Sequence, residues 1–130
     1  MPSIISQMIA GEHDAILLAS ENDNYAFLDL APLAVGHVIV TPREEFTRWP
    51  EIPSQRYLSL QAFAQKVGQA VGAAIDCKKV GMAMIGLQVE HVHIHLVPLQ
   101  SANDLNFTRE KLKLSREELL ETAELIKKFL

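Results

Sequence analysis

The chain has 130 residues, 48% hydrophobic and 22% charged, with a formal net charge of −4. That length closes one core without staples, and the acidic balance offers no footprint for a nucleic-acid duplex or an anionic membrane. The single cysteine, Cys77, excludes an internal disulfide and fits a reducing, cytoplasmic compartment; no signal-like segment opens the chain, and the longest apolar run, Val80 to Leu87, is far too short to cross a bilayer.

Ile4, Ile5, Met8 and Ile9 recur at helical spacing and Gly11 follows as a stop, which predicts a short N-terminal helix. Ala15–Ala19 and Tyr25–Leu30 read as two strands of a hairpin about the turn residues Asn22-Asp23-Asn24. A loop through Pro32 and Gly36 leads into a β-branched strand, His37–Thr41, ended by Pro42. Arg43–Pro53 is irregular and carries Trp49. Ser54 is read as the cap of a long helix reaching about Asp76, with Tyr57, Leu60, Phe63, Val67 and Val71 as its apolar stripe. Gly68 and Gly72 on that helix would allow another element to approach closely. Lys79–Leu87 and Gln88–Val97 read as two further strands, and Ser101–Asp104 as a polar break. Ser115 with Glu118 forms a capping box that opens a final amphipathic helix. Five strands joined by short turns predict a single α+β domain over residues 1–130, a mostly antiparallel sheet carrying its helices on one face.

The chemistry-bearing segment is His91-Val92-His93-Ile94-His95-Leu96-Val97-Pro98. Its period of two is that of a strand, which predicts all three imidazoles on one face, neighbours about 6–7 Å apart, with Val92, Ile94 and Leu96 turned to the core. Three readings compete. Chance alternation on a surface strand is weakened by the register, which takes three of the chain's five histidines. A three-histidine metal site is disfavoured because ligands of one ion lie about 3.5 Å apart, whereas the row spans about 13 Å. Covalent catalysis on phosphorus fits better: a neutral imidazole is a competent nucleophile, and flanking imidazoles can hold phosphoryl oxygens or fix its tautomer.

The motif resembles that of the histidine triad (HIT) family, His-φ-His-φ-His-φ-φ with φ apolar. The resemblance extends to Met8-Ile9-Ala10-Gly11-Glu12, to Phe27-Leu28-Asp29 with Pro32, and to Gly36-His37-Val38-Ile39-Val40-Thr41-Pro42. It covers about residues 3–99, leaving about 100–130 as a C-terminal helical extension. It implies a HIT-like fold in a homodimer, acting on a purine nucleotide conjugate (an AMP- or GMP-like group) through a nucleotidyl-histidine. By resemblance His93 is the nucleophile, His91 supports it, His95 serves the phosphate or leaving group, and His37 positions the row. Asp29 would accept from the ribose, Phe27, Leu30 and Met8 or Ile9 would wall the base, and Gln88 would contact the phosphate. A phosphoramidate or acyl-nucleotide is the implied substrate, with dinucleoside polyphosphate hydrolysis or non-catalytic nucleotide binding as alternatives. No cofactor is implied.

Three departures from the family pattern stand out. Many bacterial-type members hold a structural zinc with Cys-x-x-Cys, a histidine after the second motif and a further histidine; Ser3, Ser6 and Glu45 occupy the first three positions, which implies no metal here. The glutamine usual before the triad is Leu87, with Gln88 one place later. The Asn or Gln usual on the preceding strand has no counterpart between Lys79 and Ile85.

Overall fold

The computed structural model describes residues 2–130. Its elements are α1 (Ile4–Ala10), β1 (Ile16–Glu21), β2 (Asn24–Leu28), β3 (Val38–Pro42), α2 (Ser54–Ala74), β4 (Lys79–Ala83), β5 (Ile94–Leu99) and α3 (Arg116–Lys127), with single 3₁₀ turns at Trp49–Glu51 and Ala102–Leu105. The five strands form one sheet in the order β1-β2-β3-β5-β4, every neighbouring pair antiparallel. The β1–β2 hairpin turns through Asn22 and Asp23 at positive φ, the pair of residue types that tolerates this best after glycine.

Alternation sorts the sheet into two faces. Ala26, Leu28, Val38, Val40, Ile94 and Leu96 are buried and form one core cluster with Leu60, Phe63, Ala64, Val67 and Val71 of α2 and Leu119, Ala123 and Ile126 of α3. The expected amphipathic helices therefore both cover this face. α1 does not: its Met8 and Ile9 share a surface depression with Leu17, Tyr25 and Phe27, whose side chains alternate with the core-facing ones.

Several boundaries move for physical reasons. Ser54 is the first residue of α2 rather than its cap; Pro53 precedes it and no side chain caps the helix. Gly68 and Gly72 lie over their own sheet, where an added Cβ would sit 3.9 Å from Leu96 and 3.5 Å from Val80, ordinary contact distances at which a methyl group fits. Trp49 stacks on Tyr57 of α2 at 5.7 Å. The two strands predicted over 79–97 are shorter, ending at Ala83 and starting at Ile94. Residues 84–93 form a loop instead, because β5 finds ladder partners in β3 and β4 only from Ile94 onward.

Candidate active site

Because β5 starts at Ile94, the three histidines do not form a flat row. Only His95 sits on the strand; His93 and His91 come from the loop before it. The ring centres of His93 and His95 are 4.8 Å apart, and those of His95 and His37 5.1 Å apart. His91 is buried and is held by Ser3 and the Pro42 carbonyl. Val92 joins Ile94 and Leu96 in the core, as the alternation predicts, and His37, just before β3, is the neighbour of the His93–His95 pair.

Hydrogen bonds from main-chain groups of fixed polarity set each ring's tautomer. The Leu33 N–H can only donate, so His37 Nδ1, at 3.0 Å, is the bare nitrogen and Nε2 carries the proton. That proton points to His95 Nδ1 at 2.9 Å, which leaves the His95 proton on Nε2. The His91 carbonyl can only accept, so His93 donates Nδ1–H to it at 2.7 Å and keeps a lone pair on Nε2. His91 in turn donates Nε2–H to the Pro42 carbonyl at 2.8 Å and accepts from Ser3 Oγ at 2.7 Å. His93 Nε2 and His95 Nε2–H have no protein partner, and neither is sealed from solvent; the one buried side-chain polar atom without a partner among the described residues is Asn24 Oδ1.

His93 and His95 both line a cavity of about 390 Å³, within the range of small-molecule sites. Asp29, His37, His93, His95 and Gln88 all line it, together with the apolar Ile85, Leu87 and Val89. Leu87, standing where the family pattern has glutamine, is 85% exposed at the rim. Of the other residues singled out from sequence, Phe27 and Ile9 line the separate depression beside α1, and Leu30 packs against the core and lines neither. Two lining residues, Phe107 and Lys111, escaped the sequence reading. They lie in the strap between the last 3₁₀ turn and α3, tied down where Leu112 N–H meets the Pro32 carbonyl at 2.8 Å. Their one signal was an aromatic and a basic residue in a segment without helical or strand period.

Burial dominates the electrostatics. It pushes His37 down to about 4 and His95 down to about 3, the Lys111 charge and neighbouring imidazoles adding to the effect. It lowers His93 and His91 as well. Asp29 is pushed up to about 6 by burial, against the pull of the Ala31 N–H and Lys111. Near neutral pH the imidazoles are uncharged, so the 3.4 Å approach of His37 Nε2 to Asp29 Oδ2 is not an ion pair, and the Nε2–H is given to His95. Asp29 Oδ1 accepts from the Ala31 N–H at 2.9 Å and so also holds the turn that follows it.

Behind His91, the positions that the family pattern gives to zinc ligands form a hydrogen-bonded clamp. Glu45 Oε1 accepts from the Ser3 N–H and the Ser6 hydroxyl, each at 2.6 Å, and Ser3 Oγ accepts from the Ser6 N–H at 2.9 Å. The Ser6 hydroxyl first, then the Ser3 N–H, holds the Glu45 carboxyl below its ordinary range. Two hydroxyls beside one carboxylate and one imidazole do not fit zinc's preference for thiolate and imidazole. Asp29, His37 and His95 bring possible donor atoms within 4.8 Å of one another, but both His37 nitrogens are engaged by Leu33 and His95.

The one-sheet α+β fold is shared by several solved structures. One is a Hit-like protein of Bartonella henselae involved in cell-cycle regulation (TM-score 0.84, 22% identity, 98% of this chain and 96% of that one). Another is a zinc-bound histidine triad family protein of Mycobacterium smegmatis (TM-score 0.79, 20% identity, 99% and 93%). Among curated sequences, an adenosine 5′-monophosphoramidase of Schizosaccharomyces pombe is 29% identical over 99 residues, 75% of this chain and 74% of that protein. A bifunctional bis(5′-adenosyl)-triphosphatase/adenylylsulfatase of Arabidopsis thaliana is 32% identical over 80 residues, 58% of this chain and 44% of that one. The HIT domain model matches residues 10–102, and the chain belongs to that family.

Proposed function

We propose that the protein is a nucleotide hydrolase or transferase attacking the α-phosphorus of a purine nucleoside phosphoramidate or related conjugate. The observation that carries this is the tautomer pair: a bare His93 Nε2 beside a His95 Nε2–H in one cavity. His93 Nε2 supplies its lone pair to phosphorus, and the leaving group departs with the electron pair of its own bond to phosphorus and takes a proton from water. Water then attacks the nucleotidyl-histidine, and the N–P electron pair returns to the ring. His95 Nε2–H donates to a phosphoryl oxygen, His37 holds His95 in that tautomer, and His91 anchors the carbonyl that orients His93. Asp29 meets the ribose and Gln88 the phosphate, while Phe27 and Ile9 would wall the base only if it reaches the depression beside α1.

The named activities of the relatives, phosphoramidase and bis-adenosyl triphosphatase, support a nucleotide substrate. We place phosphoramidates or acyl-nucleotides first and dinucleoside polyphosphates second. Non-catalytic nucleotide binding is favoured by one observation, the apolar wall at Leu87 where a polar donor is expected. Acid quench after mixing with an adenosine phosphoramidate tests the mechanism. An adenylyl group trapped on His93, with turnover abolished in His93→Ala, is the expected result; full turnover in that variant refutes it. Exposed Met82, Ile85 and Leu87 on and beyond the β4 edge, with Leu58 on α2, support a homodimer, for which light scattering should give twice the chain mass. A cytoplasmic site of action fits the single cysteine.

A further inference from the structure

Lys111 lies outside the 10–102 span of the family match, yet it lines the cavity that holds Asp29, His37, His93 and His95. Its Nζ is 5.9 Å from the centre of the Phe107 ring, and that ring lies 4.6 Å from His95. The ammonium donates to two main-chain carbonyls, Phe107 at 2.8 Å and Arg109 at 3.3 Å. A third hydrogen has no protein acceptor, and no carboxylate comes within ion-pair distance of Nζ among the described residues. Carbonyls hold the group in place without cancelling its charge.

Its field is felt where a phosphate would sit. After burial it is the largest influence lowering His37, and it also acts on His95 and Asp29, but it has no part in the His93 shift. The Phe107 ring, 5.9 Å from Nζ and 4.6 Å from the His95 ring, ties Lys111 to the His95 side of the cavity. The apolar lining residues Ile85, Leu87 and Val89 offer no side-chain donor, and the imidazoles are neutral. Lys111 is the one lining residue with a fixed positive charge.

We propose that Lys111 binds the non-bridging oxygens of the α-phosphate, the C-terminal strap supplying within the same chain a charge that the sheet and triad lack. This assignment rests on the nucleotide chemistry proposed above. As the bond to His93 forms, charge collects on those oxygens, and a cation already held by two carbonyls stabilises it without reorganising. The site takes a nucleoside 5′-phosphate in preference to the nucleoside.

The test is calorimetric titration of wild type, Lys111→Met and Lys111→Arg with AMP and with adenosine as separate probes. Wild type should prefer AMP. Lys111→Met should lose about ten- to a hundredfold of AMP affinity and none for adenosine, the range of a charge-assisted hydrogen bond, and Lys111→Arg should keep most of the preference. Undiminished AMP preference in Lys111→Met overturns the assignment. So does a parallel loss for both probes, since Lys111 would then only hold the strap. A wild type without preference for AMP refutes the proposed nucleotide site itself, and this assignment with it.

Discussion

Taking the protein from pH 7 to pH 5 should cost it about 2–3 kcal/mol of stability, because the imidazole cluster is folded in its uncharged form. His37 titrates at about 4 and His95 at about 3 when folded, against 6.5 as the reference value for the unfolded chain. Between pH 7 and 5 the unfolded chain takes up both protons while the folded chain takes up neither. Each histidine then withdraws about 1.9 kcal/mol. Asp29 acts in the opposite direction. Its folded value of about 6 lies above the reference 3.8, so on acidification the folded state gains a proton first and recovers about 1.3 kcal/mol. The sum is a net loss, to which the lowered His91 and His93 add in the same sense. Urea unfolding at pH 7 and pH 5 measures it directly. His95→Gln removes one of the two large losses and should shrink the drop by about 2 kcal/mol. A stability that is flat between pH 7 and 5 in the wild type would show that the cluster is solvated and charged, and the tautomer assignment would fall with it.

Ser3→Ala removes both the α1 cap and the hydroxyl on His91 Nδ1. It should lower stability by about 2 kcal/mol and reduce kcat more than it raises KM, seen by denaturation and steady-state kinetics; an unchanged kcat would remove His91 from the positioning chain. Gly36→Ala places a Cβ 2.7 Å from Ile75 at φ +94°, just before His37. A loss of about 1–3 kcal/mol is expected, and a melting temperature equal to wild type would contradict it.

Two kinds of information separate cleanly in this chain. The alternation of Val92, Ile94 and Leu96 with the histidines marked which face of that segment meets the core, because burial of one face follows the pleat whatever the partner. The capping box at Ser115 and the Asn22-Asp23 turn were equally legible, since caps and turns answer to two or three neighbouring residues. The chemistry of the triad was legible as residue types, though not as geometry. A strand period extended back through His91 and His93 overran the ladder, because strand length is set by the partner strands and not by the pattern.

What local sequence cannot encode is which distant groups arrive at one place. The Leu33 N–H that fixes His37, the Glu45 carboxylate that ties Ser3 and Ser6 together beside His91, and Phe107 and Lys111 over the cavity all come from segments with no period of their own. By itself the sequence determined the sheet, its buried face and the three imidazoles. Tertiary packing decided their tautomers, their lost charge and the cation beside them, because burial and hydrogen-bond partners exist only once the chain has closed.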